Sequence, residues 1–398
     1  MLPGIVVLLK RTGGSAVQKY LYMRLILFDT NKGEIVEQNF LLKLIRESII
    51  YRENANFVLY PQSEEILEIS KHHGVCLLIE NVMQLDRKNR LINQVMRQKN
   101  LAIHYENMVH FEPISEELEK NKINYVITKG LFVALTAYGD EGKRHSEDLD
   151  VVICRKDYMK VKKILLSKGY VQGVYNPETN DIKEFTRQQE LFYLNHTQQS
   201  APFLKKTGNS LVPVVNLDLN FHIFWEENSN WNISKIISNS QIIEYKGFKL
   251  QTFRNEYVLL HTCLHAYYDL NSIYVLYKDY SYRLKYFVDI YGLVKNMNIS
   301  WEKFKVICVK HKVERYVMYV LYYTSLVFMD KVILDSIGLP VPDEEFLNRF
   351  GLDNEGVFFW KENFLERLFC DDKEKLLNQY LGNQLKNNIS KGQLLEGV

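Results

Sequence analysis

Two aspartates one residue apart, Asp148 and Asp150, interrupt "DLDVVIC", a run that is otherwise apolar and β-branched. Such a run reads as a strand, and residues two apart on a strand share a face. Asp148 and Asp150 therefore stand side by side, while Leu149, Val151 and Ile153 turn to the core. Carboxylates at that spacing repel, so the fold needs a cation between them. Hard divalent ions such as Mg2+ fill that role, held by carboxylate oxygens together with phosphates. A third acid, Asp218 in "VVNLDLNFHIF", lies in another alternating apolar strand. An antiparallel neighbouring strand would bring it to the same edge. Three strand-borne carboxylates are the minimum equipment for two-metal phosphoryl or nucleotidyl transfer.

The residues just ahead point the same way. "INYVITKG" is a short β-branched strand ending in Gly130, and "LFVALTAYG" a short helix ended by Gly139. A glycine where a strand opens into a helix lets phosphates approach the backbone amides and the positive helix end. Lys129 adds a point charge, and Arg144, four residues before Asp148, could reach triphosphate oxygens from the loop "DEGKRHSED".

Composition narrows the setting. A formal net charge of +2 on 398 residues gives no global field for nucleic acid, which is therefore not favoured as a partner. The five cysteines are odd in number and never in a CxxC pair, so neither a disulfide framework nor a zinc site is indicated and a reducing cytoplasm is expected. No segment approaches the roughly 20 continuous apolar residues of a membrane span. "MLPGIVVLLKRTGG" reads as non-targeting, and residues 1–22 are read as an upstream extension of a natural start at Met23.

The expected fold class is α+β, a mixed sheet domain flanked by an N-terminal helical layer and a C-terminal helical bundle. Residues 1–37 are an N-terminal segment, an extension or small β element. Residues 38–122 carry apolar residues at three and four spacing, with Ser63 as a helix cap and Gly74 as a stop. Residues 123–227 hold strand, helix, strand, helix, strand, then two β-rich runs, "EFTRQQELFYLNH" and "SLVPVVNLDLNFHIFW", joined by "TQQSAPFLKKTGN" as a loop. Residues 228–398 turn helical again, with Ser300 as a cap.

"KGLFVALTAYGDEGKRHSEDLDVVI" resembles the motif of the polymerase-β-like nucleotidyltransferase superfamily, in which a glycine-containing turn, a helix and an acid pair on a strand precede a third acid. More closely it is similar to the bacterial family of uncharacterised nucleotidyltransferases, through Lys129, Gly130, Tyr138, Arg144, Asp148, Asp150, Gly169 and Tyr170. The likeness runs from about Gln38 to Val327 and takes in His265 and Asp289. It departs at Asn220, where the family commonly has a histidine two residues after the third acid; here His222 comes two further on. The resemblance implies transfer of a nucleoside monophosphate from an NTP to an acceptor, with two Mg2+ ions. Asp148, Asp150 and Asp218 would be the metal and catalytic set, with Asp218 helping the acceptor hydroxyl lose its proton. Lys129 and Gly130 would hold the β- and γ-phosphates. The acceptor is open among small molecules, sugars and modified peptides. A nucleotide-sugar donor on the same metal site, and a nucleotide-binding module without catalysis, are the alternative readings.

Other features read more plainly. His261 and His265, four apart on an apolar helix, lack a third ligand and read as buried or hydrogen-bonding histidines. The tyrosines from Tyr267 to Tyr282 read as packing, and Lys205 and Lys206 beside Gly208 as an exposed loop.

Overall fold

The computed structural model describes residues 33–50, 60–224, 231–278, 282–352 and 355–382. The expected extension over residues 1–22, and most of the N-terminal segment, lie outside the described residues. The fold class is as the sequence indicates, a mixed sheet between two helical regions.

The N-terminal helices include α1 (Gly33–Ile50), α2 (Glu64–His72) and the long α3 (Arg87–Lys120). Ser63 caps α2 by accepting from the amide of Ile66, and Gly74 ends it at φ +68°. The sheet then begins with β1 (Tyr125–Thr128), α4 (Gly130–Val133), β2 (Asp148–Ile153), α5 (Tyr158–Ser167) and β3 (Val171–Asn176). This is the expected alternation. It continues with β4 (Asp181–Glu184), α6 (Arg187–His196), β5 (Phe203–Asn209), β6 (Val212–Asn220), β7 (Gln241–Tyr245) and β8 (Phe248–Thr252). The strands lie in the order β4-β3-β5-β6-β2-β1-β8-β7. The β6–β2 and β1–β8 pairs are parallel and the others antiparallel.

Three segments differ from the sequence reading, each for a local reason. "EFTRQQELFYLNH" is mostly the helix α6, because Thr186 and Gln189 form a reciprocal capping box at its start. "TQQSAPFLKKTGN" is not a loop; its second half is β5, which forms a hairpin with β6. The sheet also continues past Glu227, since "QIIEYKGFKLQT" is a hairpin. Lys246 and Gly247 turn it at φ +49° and +88°, the left-handed pair that a tight two-residue connection requires.

The C-terminal bundle is α7 (Asn255–Asn271), α8 (Leu284–Asn296), α9 (Trp301–His311) and α10 (Glu314–Phe328), with shorter helices beyond. Ser300 caps α9 as expected. The tyrosines serve as packing: Tyr267 meets Tyr316 and Tyr319 at ring distances of 4.8 and 5.0 Å, and Tyr282 sits between Trp360 and Phe364. Tyr280 lies outside the described residues. One contiguous apolar core runs from Leu41 to Leu381, so the helical regions and the sheet share an interior. No helix among the described residues is long and apolar enough to cross a membrane. All five cysteines are free.

The helical regions also lock together through α8. It approaches the segment Ala134–Tyr138, a π-turn extension of α4, so closely that a Cβ on Gly292 would lie 2.6 Å from the Ala137 carbonyl oxygen. At the other end of α8, the Leu284 amide donates to Nδ1 of His73 and the Lys285 amide to the His73 carbonyl, both at 3.3 Å. Those two bonds satisfy helix-end donors that would otherwise be orphaned.

His73 can accept at Nδ1 only when neutral. Burial, and then the neighbouring His72, Lys373 and Arg283, hold its pKa well below the ordinary 6.5. Because the folded value is depressed, His73 leaves stability intact above about pH 6.5, and below that value the unfolded chain gains a proton that the fold refuses. Stability should therefore fall as the medium is acidified from pH ~6.5 to ~4.5, and His73→Gln should make that slope shallower. Urea unfolding across that pH window measures it; an unchanged slope in the variant would refute the assignment.

Candidate active site

The acids come together through strand register. Asp148 and Asp150 share a face of β2 by alternation, and β6 runs beside them in parallel, with Asp150 directly opposite Asp218 and Asp148 opposite Asn216. The sequence reading places the third acid on an antiparallel neighbour, and the observed pair is parallel. The cause is β5: one more strand reverses the chain once more before β6 enters the sheet. The acid still reaches the same face. One carboxylate oxygen from each of Asp148, Asp150 and Asp218 lies within 4.8 Å of the other two.

Their electrostatics diverge. Burial, and then the charges of Asp148 and Asp150, push the Asp218 carboxyl well above the usual 3.8. Its Oδ1 is fully enclosed and has no hydrogen-bond partner. Asp148 is raised as well, by burial and then by Asp150. Asp150 goes the other way: burial pulls it up, but Lys129, His265, His261 and a hydrogen bond from Asn220 hold it below the ordinary value. Such crowding in a partly dry site is costly unless a cation is bound. The donor set, all carboxylate oxygens with one buried oxygen left orphaned, fits a hard divalent ion such as Mg2+.

Lys129 and Gly130 form the turn between β1 and α4. Lys129 has φ +51° and ψ −126°, a conformation normally left to glycine, at a cost of roughly 1–3 kcal/mol. Gly130 follows at φ +30°, where a Cβ would sit 3.4 Å from Ser146 Oγ. The strained turn aims the Lys129 ammonium into the acid cluster, 3.4 Å from Asp150 Oδ2. Asn220, where the resemblance departs, also serves this carboxylate: its Nδ2 donates to Asp150 Oδ1 at 3.0 Å. Its place two residues after Asp218 on an alternating strand was a signal for this role.

Arg144 is placed differently from the expectation. Its guanidinium is buried and makes a two-pronged pair with Asp289 of α8, Nε to Oδ1 at 2.9 Å and Nη2 to Oδ2 at 2.8 Å. It pairs with neither Glu141 nor Glu147. Tyr138 stands in the same cluster, its phenol pushed far up by burial and then by Asp289. His261 and His265 lie on α7. His261 is buried, and burial followed by Lys129 and His265 pulls its pKa down to about 3. His265 bonds through Nδ1 to Asp269 at 2.9 Å. Both act electrostatically on Asp150, so α7 forms a wall of the site. Lys205 stacks over Tyr170 and Lys206 pairs with Asp181, both on β5 and apart from the acids.

Sequence reasoning missed one cation at this site, Lys285 of α8. Its Nζ donates to the His145 carbonyl at 3.0 Å, and it is electrostatically linked to Asp148. Nothing local in the sequence marks it, because it enters from a helix more than a hundred residues away.

Among solved structures, an antigenic nucleotidyltransferase-like protein from Paracoccidioides brasiliensis is similar to this chain at 15% identity. That likeness covers 60% of this chain and 94% of the other, with a TM-score of 0.36. No curated protein matches. Residues 61–329 match the family described as uncharacterised nucleotidyltransferase, a span that includes the acid-bearing sheet and reaches through α10. The chain belongs to that family of uncharacterised nucleotidyltransferases, within the polymerase-β-like superfamily.

Proposed function

We propose that this protein is a Mg2+-dependent nucleotidyltransferase that moves a nucleoside monophosphate from an NTP to an acceptor bearing a hydroxyl, with release of pyrophosphate. One observation carries the reading: three carboxylates converge across the β2–β6 pair, and the buried Oδ1 of Asp218 has no partner. Asp148, Asp150 and Asp218 would hold the metal, in the two-ion arrangement that transfer of this kind uses. Bound Mg2+ would supply Lewis-acid stabilisation of the negative charge that develops on the phosphoryl oxygens.

The chain's own residues do the rest. Lys129 and the backbone of the Lys129–Gly130 turn grip the β- and γ-phosphates, a task for which the strained turn is already shaped. Asn220 and Lys129 fix the orientation of Asp150. Asp218 helps the acceptor hydroxyl lose its proton. The acceptor oxygen then bonds to the α-phosphorus, the bond from that phosphorus to the bridging oxygen breaks, and pyrophosphate leaves with the electron pair. Sugars, small molecules and modified peptides all fit the hydroxyl requirement.

The test is product chemistry. The protein is incubated with Mg2+, each of the common NTPs and a set of hydroxyl-bearing acceptors, and pyrophosphate release is measured beside mass spectrometry of the products. The expected product gains the mass of one nucleoside monophosphate. Transfer of a sugar from a nucleotide-sugar donor, or nucleotide binding with no pyrophosphate formed under any condition, would overturn the reading.

A further inference from the structure

The charges of a triphosphate and three aspartates together exceed those of two Mg2+ ions and one lysine, and the arginine expected to share the work is committed elsewhere, its fork closed on Asp289. A second cation is nevertheless present. Lys285, in the first turn of α8, is partly exposed, and among the described residues its ammonium meets no carboxylate in an ion pair. Among the described residues, the ammonium makes one hydrogen bond, to the His145 carbonyl at 3.0 Å. A lysine ammonium has three donors, so two remain for a ligand.

The stem of Lys285 is held at several points. Its amide is tied to the His73 carbonyl, and its stem passes Gly74, where a Cβ would lie 3.8 Å from both its Cβ and its Cδ. The carbonyl it donates to belongs to a loop held in turn by the His145 ring, which bonds to Asn100 Oδ1 at 2.9 Å and to Glu147 Oε1 at 3.0 Å. That loop leads directly into Asp148.

We propose, building on the nucleotidyltransferase reading, that Lys285 is the second cation of the triphosphate site, binding the β- and γ-phosphates of the nucleotide and then the departing pyrophosphate. Its surroundings are those of a charge that awaits an anion. Burial, and then the nearby Arg144, pull its pKa down to about 8, against the opposing pull of Asp289 and Asp148. A bound polyphosphate would relieve that penalty, which a solvated surface lysine never incurs. Lys129 lies beside Asp150, and Lys285 bonds to the loop that leads into Asp148, so the two cations come from different elements. A chain of phosphates could thus be held from both sides, and the helical bundle would contribute directly to nucleotide binding.

The experiment is calorimetric titration of the full-length protein, in Mg2+, with inorganic pyrophosphate and with an α,β-methylene NTP that cannot react. Lys285→Met keeps the stem and removes the charge; Lys285→Arg keeps the charge. Lys285→Met should weaken both ligands about tenfold or more, the scale of one charge-assisted bond. Its KM for NTP should rise in step with that loss of affinity. Lys285→Arg should hold most of the affinity. A loss smaller than tenfold in Lys285→Met, or an equal loss in both variants, overturns the proposal while leaving the nucleotidyltransferase reading in place. Failure of the wild-type protein to bind either ligand would instead remove that reading, and this one with it.

Discussion

Replacement of Asp218 by asparagine is expected to abolish nucleotide transfer and, at the same time, to stabilise the metal-free protein. The loss of activity should be at least about a hundredfold, the scale for removing a group that both ligates a catalytic metal and moves a proton. The gain in stability follows from charge. Asp218 is buried, its Oδ1 lacks a partner, and the carboxylates of Asp148 and Asp150 press on it. An amide of the same shape removes the repulsion and keeps the packing. Asp148→Asn should behave in the same way, since burial and Asp150 raise that carboxyl too. Asp150→Asn should be equally inactive but less stable than the other two, because Lys129 lies 3.4 Å from its carboxylate and Asn220 donates to it at 3.0 Å. Pyrophosphate release measures the first quantity, and thermal unfolding in a chelator the second. Full activity in any of the three variants would remove the acid cluster from the chemistry. Such opposition between activity and stability is the usual signature of a site built for function.

The second large effect concerns the fold. Arg144 and Asp289, 145 residues apart, form a buried pair with two nearly parallel hydrogen bonds of 2.9 and 2.8 Å. Removing one partner leaves the other charged, dry and alone, so Asp289→Ala or Arg144→Ala should each cost about 3–5 kcal/mol of stability. The double replacement Arg144→Met with Asp289→Leu should recover most of that loss, since apolar side chains of similar volume often substitute for a buried pair without penalty. Chemical denaturation of the three variants measures this. The double variant also separates two roles for Arg144. If the guanidinium serves as a strut between the loop before β2 and α8, affinity for NTP survives; if it contacts phosphate, affinity falls although the fold is restored.

Much of this was written locally. The helix boundaries at Ser63, Gly74, Gly139 and Ser300 follow from cap and stop residues whose preferences act within one turn. α6 and β5 were misread because aromatic and polar residues mix there without a clean period, and the capping box at Thr186 and Gln189 outweighed the β character of its surroundings. The hairpin at Lys246 and Gly247 carried a turn signal that a reading in terms of helices passed over. At the site, the Lys129–Gly130 turn and the three acids were visible as residue types. The partnership of Arg144 was not, because a charged side chain in a loop has several candidate partners nearby and the one it takes lies on a distant helix.

By itself the sequence determined that Asp148 and Asp150 share one face of a strand, and that Asn216, Asp218 and Asn220 share one face of another. The pleat of a β-strand enforces this over two residues, whatever surrounds it. Only the tertiary structure decided that these two faces are one surface, with Asp150 level with Asp218, and that Lys285 and Asp289 of α8 bond to the loop that leads into Asp148. Register and long-range pairing depend on how many strands intervene and on which apolar faces bury one another. Those choices are settled by the whole core at once and leave no mark on any single stretch of chain.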